Sequence, residues 1–279
     1  MRYATIEDMR VALQTGKVSS TELTRNALAM LGKEGRAHNA VREMTEERAL
    51  KAAAASDERR AKNETRGPLD GIPYAVKDLL ATKGIPTRWG SPGHADQVFD
   101  YDATVVEKLD AAGAVLCSKL AMIELAGGGD YDLPGASDVG ATRCAWNKNL
   151  WAGGSSSGSG AAIGLGLLPF AIGSETSGSI LCPSAFNGIT GLRPTYGRVS
   201  RYGAMPLSWT LDKIGPMART AEDAWTVLKV IAGMDPKDPS TTGRPFQESA
   251  ARPLRVGVMK EPFGDAKACQ AGYEAVLEL

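Results

Sequence analysis

The chain has 279 residues, 43% of them apolar, and its 32 lysine and arginine residues balance 32 aspartate and glutamate residues. Such a composition is typical of an ordinary globular protein and allows one large domain or two small ones. A formal net charge of zero leaves no basic excess for nucleic acid or anionic lipid, so we expect neither as a direct partner.

The N-terminal part of the chain is predicted to be helical. Residues 5–31 carry apolar side chains at helical spacing, interrupted at Gly16, and Ser19 with Glu22 offers an N-cap followed by an acidic residue. Residues 45–62 are rich in alanine and charge and predict a helix that is solvated on most faces. A Gly-Pro-Leu-Asp-Gly turn at 67–71 then marks the end of this helical part.

From this turn onward, strands and helices alternate. Residues 72–80 and 114–117 are short apolar runs that predict buried strands, and residues 104–112 between them predict a helix. Residues 161–168 predict a buried helix of small residues, and residues 220–233 predict an amphipathic helix that begins at a Thr-x-x-Asp cap. This alternation predicts an α/β sheet with helices on its faces.

The chain ends within a further strand–helix unit. Residues 254–259 predict a strand, and residues from 267 onward predict a helix that stops at Leu279 without a cap. We therefore expect a chain that is truncated relative to a longer protein. The predicted organisation is a single domain over 1–279, with a helical part at 1–66, a core at 67–233 and an incomplete C-terminal part at 234–279.

Cysteine usage and the N-terminus indicate a reducing compartment. The four cysteines form no C-x-x-C pair, so we interpret them as free thiols rather than a disulfide framework or a zinc site. Charged residues stand where a signal peptide needs its apolar core. The longest apolar stretch, 160–173, is interrupted by Pro169 and is shorter than the ~20 residues that cross a bilayer. We predict a cytoplasmic protein that contacts no membrane.

A serine–glycine run at 153–160 is the most unusual stretch of the sequence. In isolation, this composition is typical of a flexible linker. The run leads directly into the apolar segment 161–168, however, whereas a linker joins polar domain edges. Glycines at a helix start also let the backbone N–H groups approach a ligand closely. We therefore interpret the run as part of a ligand site.

Three serine-based chemistries can be compared with this run. Ser156 is the central serine of a G-x-S-x-G match, the nucleophile elbow of α/β-hydrolases, whose histidine follows the serine. Both histidines, His38 and His94, precede it, so the match is accidental unless a C-terminal part beyond this chain holds another histidine. A phosphate-binding P-loop requires a lysine–serine or lysine–threonine pair after its glycines, and no such pair follows this run. The S-x-x-K pattern of β-lactamases is also absent.

Without a histidine, a reactive serine needs another base, and Lys77 is the candidate. It lies within the apolar strand predicted at 72–80, where exclusion of water lowers a lysine pKa and favours the neutral amine. The alternative is a lysine at a strand edge that pairs with the adjacent Asp78. Residues 173–180 also allow two interpretations. They form either a polar loop or a turn that aims several backbone N–H groups at one point, as an oxyanion hole does.

Together, these three segments resemble the amidase signature family, whose members use a serine–serine–lysine triad. The family's lysine stands in G-I-P-x-x-V-K-D, which corresponds to Lys77 within 71–78. Its bridging serine is the first serine of G-G-S-S, here Ser155, and its nucleophile precedes I-x-x-P, here Ser179. The two serines are 24 positions apart, as the family pattern expects. The run at 188–203 also resembles the family, especially its tRNA-amidotransferase branch.

The resemblance implies a fold, a chemistry and a set of site residues. The fold would be a mixed twisted sheet flanked by helices on both faces. Lys77 would serve as the base, Ser155 would relay protons, and Ser179 would attack the amide carbon. Backbone N–H groups of Thr176, Ser177 and Gly178, with that of Ser179, would form the oxyanion hole. The resemblance implies a small-molecule amide as substrate and no metal or organic cofactor. Its expected partners are a second copy in a homodimer or, for an amidotransferase, B- and C-type subunits.

The sequence departs from the family pattern in two motifs. The family's G-G-S-S-G-G has Ser157 before its last glycine here, and its D-T-G-G-S-I-R corresponds to Glu175 through Leu181. Leu181 removes a guanidinium near the site, which argues against a polar, charged substrate. We therefore favour a stand-alone amidase over the glutamine-hydrolysing A subunit of an aminoacyl-tRNA amidotransferase. A third hypothesis, of another class, is an inactive truncated fragment or pseudoenzyme.

Overall fold

The computed structural model describes residues 1–127 and 133–246, together with the isolated positions 257, 270, 274 and 275. The chain divides into two compact units, Met1–Arg244 and Pro245–Leu279. All helices and strands named below belong to the first unit. Apart from those isolated positions, the strand predicted at 254–259 and the helix predicted from 267 onward lie outside the described residues.

A six-stranded mixed sheet forms the centre of the first unit. Its strands are β1 Val41–Met44, β2 Pro73–Lys77, β3 Val115–Leu120, β4 Phe170–Glu175, β5 Thr190–Gly191 and β6 Lys213–Ala218, and their order is β1-β3-β2-β4-β6-β5. β2 runs parallel to β3 and β4, whereas β1, β5 and β6 pair antiparallel with their neighbours. The carboxyl ends of β3, β2 and β4 therefore meet at one edge, where open α/β sheets commonly bind ligands.

Helices flank this sheet. The α-helices in the described part of the chain are α1 Ile6–Gln14, α2 Ser20–Met30, α3 Glu46–Ala61, α4 Thr104–Ala111, α5 Ser157–Gly164, α6 Leu181–Asn187 and α7 Ala221–Ile231. The predicted caps are present. Ser19 and Glu22 exchange the hydrogen bonds of a capping box at α2, and the side chain of Thr220 accepts from the N–H of Asp223 at α7.

Several elements differ in extent from the sequence prediction. The strand predicted at 72–80 is β2, which ends at Lys77. α5 begins at Ser157 rather than at residue 161, because the serine–glycine run is buried and coils as a helix instead of extending as a linker. β3 continues past residue 117 to Leu120. Two of the three added residues, Ser118 and Lys119, are polar yet fully buried, so an apolar pattern did not predict them as part of the strand.

Small side chains let helices pack closely on one face of the sheet. Ala75, Val115 and Ala171 project from three neighbouring strands into one core cluster with residues of α2, α3 and α5. Alternate residues of a strand point to opposite faces. On the other face, the rings of Tyr74 and Phe170 stack with their centroids 5.3 Å apart. The predicted fold class, an α/β fold with a mixed sheet flanked by helices, is confirmed.

Gly158 allows the first turn of α5 to lie against the backbone of its neighbours. A Cβ at this position would lie 2.3 Å from the carbonyl oxygen of Ala40 and 2.6 Å from the nitrogen of Ala121. Because backbone atoms cannot yield as a flexible side chain does, we expect Gly158→Ala to lower the free energy of unfolding by about 1–3 kcal/mol. Chemical denaturation measures this, with Gly32→Ala as the control because a Cβ there meets nothing within 4 Å. Equal stability of the two variants would contradict the packing.

The described cysteines and helices also bear on the sequence predictions. Cys117, Cys144 and Cys182 are free thiols, as predicted, while Cys269 lies outside the described residues. Over the ranges 1–127 and 133–246, we find no helix that combines the length and the apolar character needed to pass through a bilayer.

Candidate active site

Lys77 ends β2 at the edge of the sheet where the parallel strands terminate. Its side chain is fully buried. Its Nζ lies 2.7 Å from Ser155 Oγ and 2.9 Å from Ser174 Oγ. The alternative that Lys77 is a strand-edge lysine paired with Asp78 is wrong, because Asp78 pairs with Lys119 across 3.2 Å between Oδ1 and Nζ. The structure thus brings two of the predicted site residues, Lys77 and Ser155, into contact.

The surroundings of Lys77 favour its neutral form. Burial lowers the pKa of Lys77 to about 7, and the negative charges of Asp212 and Glu175 oppose this shift without cancelling it. The ammonium form loses its hydration inside the protein, while the neutral amine loses much less. A large fraction of Lys77 is therefore uncharged near neutral pH, and its lone pair can accept a proton.

Ser155 and Ser156, which precede α5, have different surroundings. Ser155 is fully buried, follows a cis peptide bond from Gly154, and accepts a hydrogen bond from the Ile123 N–H at its carbonyl oxygen, 3.1 Å. The Ser156 hydroxyl instead bonds with the β4 backbone. It donates to the Ser174 carbonyl at 3.1 Å and accepts from the Ser174 N–H at 3.3 Å. Ser156 therefore fastens the start of α5 to the sheet.

The nucleophile-elbow alternative finds no histidine base in the described part of the chain. The Nδ1 atom of His38 lies 2.8 Å from the carbonyl oxygen of Glu34. The ring of His94 packs against Trp89 with centroids 4.7 Å apart. Lys77, rather than a histidine, contacts the serine run.

Ser179 lies in the turn that joins β4 to α6. Only 3% of its surface is exposed, and its carbonyl oxygen accepts a hydrogen bond from the Ser156 N–H at 3.2 Å. Gly178 has a φ of +99°, a backbone conformation that favours glycine, and this lets the chain turn immediately before Ser179. The hydrogen bond places the backbone of Ser179 beside the segment that carries Ser155. The other predicted residues of the turn, Thr176 and Ser177, follow β4 directly.

A buried carboxylate holds the chain just after Ser179. Glu175 is fully buried at the end of β4, and its Oε2 accepts hydrogen bonds from the N–H groups of Ile180 at 2.8 Å and Leu181 at 2.9 Å. Its Oε1 pairs with the guanidinium of Arg193 at 2.9 Å. Burial by itself would raise the pKa of Glu175, but the backbone N–H groups and Arg193 outweigh burial and lower it. Glu175 is therefore a charged support for the turn.

Several of these contributors were not predicted from the sequence. Ser174 had no predicted role, although it lies in the same motif, 173–180, as the predicted nucleophile. The motif lacks an arginine at position 181, and the guanidinium that pairs with Glu175 comes from Arg193 in a different segment. Asp212 stands in no motif, and its contacts appear only in the structure.

A cavity of about 320 Å³ opens beside the turn, and Ser174 and Thr176 form part of its wall. Much of the remaining wall is apolar, with Leu79, Ala126, Tyr202, Met205, Leu207, Trp209 and Ile214, and the wall also includes the charged residues Arg201, Asp212, Lys213, Lys237 and Asp238. Concave sites with mostly apolar walls and a few convergent polar groups are typical of small-molecule binding. The cavity is therefore the candidate site for the group attached to a reacting carbonyl.

Comparison with known proteins agrees with this geometry. The amidase family model matches residues 22–279. The A subunit of glutamyl-tRNA(Gln) amidotransferase from Methylococcus capsulatus is 44% identical over 271 residues, which cover 95% of this chain and 55% of that protein. The protein of the same name from Pseudomonas aeruginosa is 42% identical over 288 residues, covering 100% of this chain and 59% of that protein.

Solved structures show the same relationship. The native peptide amidase from Stenotrophomonas maltophilia has a TM-score of 0.82 and 39% identity, over 88% of this chain and 51% of that one. The glutamyl-tRNA(Gln) amidotransferase A subunit from Thermotoga maritima has a TM-score of 0.73 and 33% identity, over 88% of this chain and 50% of that one. The chain thus spans about half the length of these relatives. The family match and these identities confirm the resemblance found in the motifs, and they show that the chain belongs to the amidase family.

Proposed function

We propose that this chain carries the catalytic centre of an amide hydrolase that works through Lys77, Ser155 and Ser179. The observation that supports this most directly is the contact of 2.7 Å between Lys77 Nζ and Ser155 Oγ, both on fully buried side chains. A lysine whose pKa is about 7 can act as a base without the help of a histidine. The family membership makes an amide carbon–nitrogen bond the expected target.

In the proposed reaction, two proton transfers activate the nucleophile. Neutral Lys77 takes the hydroxyl proton of Ser155 while Ser155 takes that of Ser179, and Ser179 Oγ attacks the amide carbonyl carbon. Ser155 then returns a proton to the leaving nitrogen, which makes expulsion of this poor leaving group possible as the carbon–nitrogen bond breaks. Water, activated by the same groups, hydrolyses the resulting ester and frees Ser179.

The developing oxyanion needs backbone donors, and we propose the turn after β4 for this role. The N–H groups of Thr176, Ser177, Gly178 and Ser179 are the candidates, each worth up to ~3–4 kcal/mol in the transition state. The Gly178 N–H also stabilises the carboxylate of Glu175, so this donor is shared.

A substrate panel tests the proposed activity. We expect hydrolysis of small amides, with release of ammonia or an amine, for a set of aliphatic amides, aryl amides and glutamine supplied to the protein. The apolar wall of the cavity favours amides with an uncharged apolar group beside the carbonyl. No turnover of any amide, together with no reaction at Ser179 with a serine-directed probe, would instead support the inactive fragment or pseudoenzyme.

The second candidate is the A subunit of an aminoacyl-tRNA amidotransferase. The names of the curated relatives favour it, whereas the peptide amidase with a TM-score of 0.82 favours a stand-alone enzyme. Glutaminase activity that rises when a B-type subunit is added, and co-purification with that subunit, would decide for the amidotransferase. The homodimer, the B- and C-type partners and the cytoplasmic location expected from the sequence stay predictions.

The pH dependence of kcat/KM tests the role of Lys77 as base. Its pKa is about 7, so the ammonium form predominates below that pH and cannot accept the Ser155 proton. We expect kcat/KM to fall about tenfold per pH unit on the acid side of pH 7. Measurement from pH 5 to 9 with an uncharged amide isolates the enzyme's own titration. A profile that stays flat down to pH 5 would remove Lys77 as the base.

A further inference from the structure

Asp212, immediately before β6, joins two segments that border the cavity. The hydroxyl of Thr176 donates to Asp212 Oδ1. The other carboxylate oxygen, Oδ2, accepts from the N–H groups of Leu207 at 2.8 Å and Ser208 at 2.9 Å. One side chain thus fastens the turn after β4 to the segment 207–208.

Lys213 makes a second contact with Thr176. Its Nζ donates to the carbonyl oxygen of Thr176 at 3.0 Å, and its backbone stands opposite Glu175 in the pairing of β4 with β6. In a trans peptide unit the carbonyl of one residue and the N–H of the next point in opposite directions. Anchoring the Thr176 carbonyl therefore also sets the direction of the Ser177 N–H, a proposed oxyanion donor.

Three donors converge on Asp212, and its two carboxylate oxygens accept hydrogen bonds from all of them. A carboxylate is acceptor-only and offers about four lone pairs, whereas the amide of asparagine replaces one oxygen by an NH₂ donor. Asparagine at position 212 would therefore either force the Thr176 hydroxyl to accept instead of donate or lose the backbone N–H pair, and in both cases it replaces charge-assisted hydrogen bonds by weaker neutral ones. Leu207, Thr176 and Asp212 itself all belong to the cavity wall.

We propose that Asp212 is a positioning residue that couples the wall segment 207–208 to the oxyanion turn 176–179, so that the cavity and the reacting centre keep one fixed geometry. This inference rests on the proposed function, because the proposed function gives the turn 176–179 its role in catalysis. Asp212 also acts on Lys77 electrostatically. It and Glu175 are the two carboxylates that raise the pKa of Lys77 against the effect of burial, and Glu175 in addition pairs with Arg193.

Asp212→Asn is the test, and Asp57→Asn is a closely matched control. Asp57 also accepts two backbone N–H groups and a threonine hydroxyl, those of Ser20 and Thr21, but it does so between α2 and α3. We expect Asp212→Asn to slow fluorophosphonate labelling of Ser179 about 10- to 100-fold, as misplacement of reacting groups does. We also expect the acid limb of the labelling rate to move to lower pH, because removing a negative charge lowers the pKa of Lys77 further.

A readout that needs no activity separates this inference from the proposed function. Amide hydrogen exchange followed by mass spectrometry should show faster exchange in both 174–181 and 205–211 for Asp212→Asn, and in neither for Asp57→Asn. Thr176→Val, which removes only the hydroxyl, should produce a smaller increase of exchange in both segments. This variant keeps the inference testable even if Asp212→Asn folds poorly. Unchanged exchange in both segments, with an unshifted acid limb, would overturn the inference. Coupled exchange in a protein whose Ser179 never reacts would refute the proposed function and leave the coupling intact.

Discussion

Replacing Ser179 with alanine will abolish covalent labelling of the protein by a fluorophosphonate and lower amide hydrolysis by at least about 10⁴-fold. The reason is that Ser179 supplies the side-chain oxygen that bonds to the substrate carbon in the proposed reaction, so the acyl-enzyme cannot form without it. Intact-protein mass spectrometry after incubation with the probe measures the covalent adduct, and an assay of released ammonia measures turnover. The methyl group of alanine fits where the hydroxymethyl group stood, so the fold should be retained.

Ser156→Ala is the matched control, because Ser156 is also buried, lies beside Ser155 and would be the nucleophile of an elbow. Its hydroxyl bonds with the backbone of Ser174, so its loss removes a packing contact rather than the nucleophile. We expect this variant to remain reactive with the probe. The opposite result, labelling that survives in Ser179→Ala and disappears in Ser156→Ala, would assign the nucleophile to the elbow.

Replacing Lys77 with methionine is the second change with a very large expected effect. It removes the amine that accepts the Ser155 proton while keeping an unbranched side chain of similar length in the buried strand. We expect loss of probe labelling and a decrease in kcat/KM of at least about 10⁴-fold, with a cooperative unfolding transition retained. Labelling kinetics and thermal unfolding of the same sample measure the two properties separately.

Lys119→Met offers a contrast on the neighbouring strand. Lys77 and Lys119 are both fully buried, but Lys119 pairs with the buried Asp78, and its loss leaves that carboxylate without its cation. Breaking a buried pair in this way typically costs about 3–5 kcal/mol of stability. Lys119→Met should therefore unfold more easily, while Lys77→Met should stay folded and be inactive. If both variants lost stability equally and Lys77→Met still reacted with the probe, Lys77 would be a structural residue only.

The pH dependence of stability is a further measurable property of the Lys77→Met variant. The pKa of Lys77 in the folded protein, about 7, lies below the ordinary lysine value near 10.5, so between these pH values the unfolded chain binds a proton that the folded protein does not. By linkage, Lys77 therefore favours folding more as pH rises through this window, and its burial is most costly below pH 7. Lys77→Met removes this cost, so its stability relative to the parent protein should be greatest in acid.

Much of the fold was predictable because local signals decide it. The capping box at Ser19 and the cap at Thr220 mark helix starts through hydrogen bonds within four residues, and both are present. The strand containing Lys77 is a short apolar run after a turn, and the structure contains it as β2. α5 was predicted to begin four residues late, because serine and glycine are typical of loops and only their burial against the sheet allows them to pack as a helix.

The candidate site, like the fold, was predictable from the sequence only in part. Lys77, Ser155 and Ser179 stand in motifs whose spacing is visible in one dimension, and the family membership that those motifs indicated is shown by the comparisons. The partner of Lys77 could not be decided from the sequence, since Asp78 is adjacent in the chain while Ser155 is 78 positions away. Side chains of successive strand residues point to opposite faces of a sheet, so the nearest residue in sequence is the one that Lys77 cannot easily reach.

The sequence alone therefore determined the motifs of the proposed site residues and several of the helices and strands that hold them, because motifs and caps are short-range patterns. The tertiary structure decided what supports those residues. Asp212 reaches Thr176, 36 positions earlier, because β4 and β6 are neighbours in the sheet, and Arg193 reaches Glu175 across 18 positions of the chain. Charge complementarity between residues distant in the chain leaves no periodic or local trace in a sequence. It appears only when folding brings the groups within hydrogen-bond distance and removes water from around them.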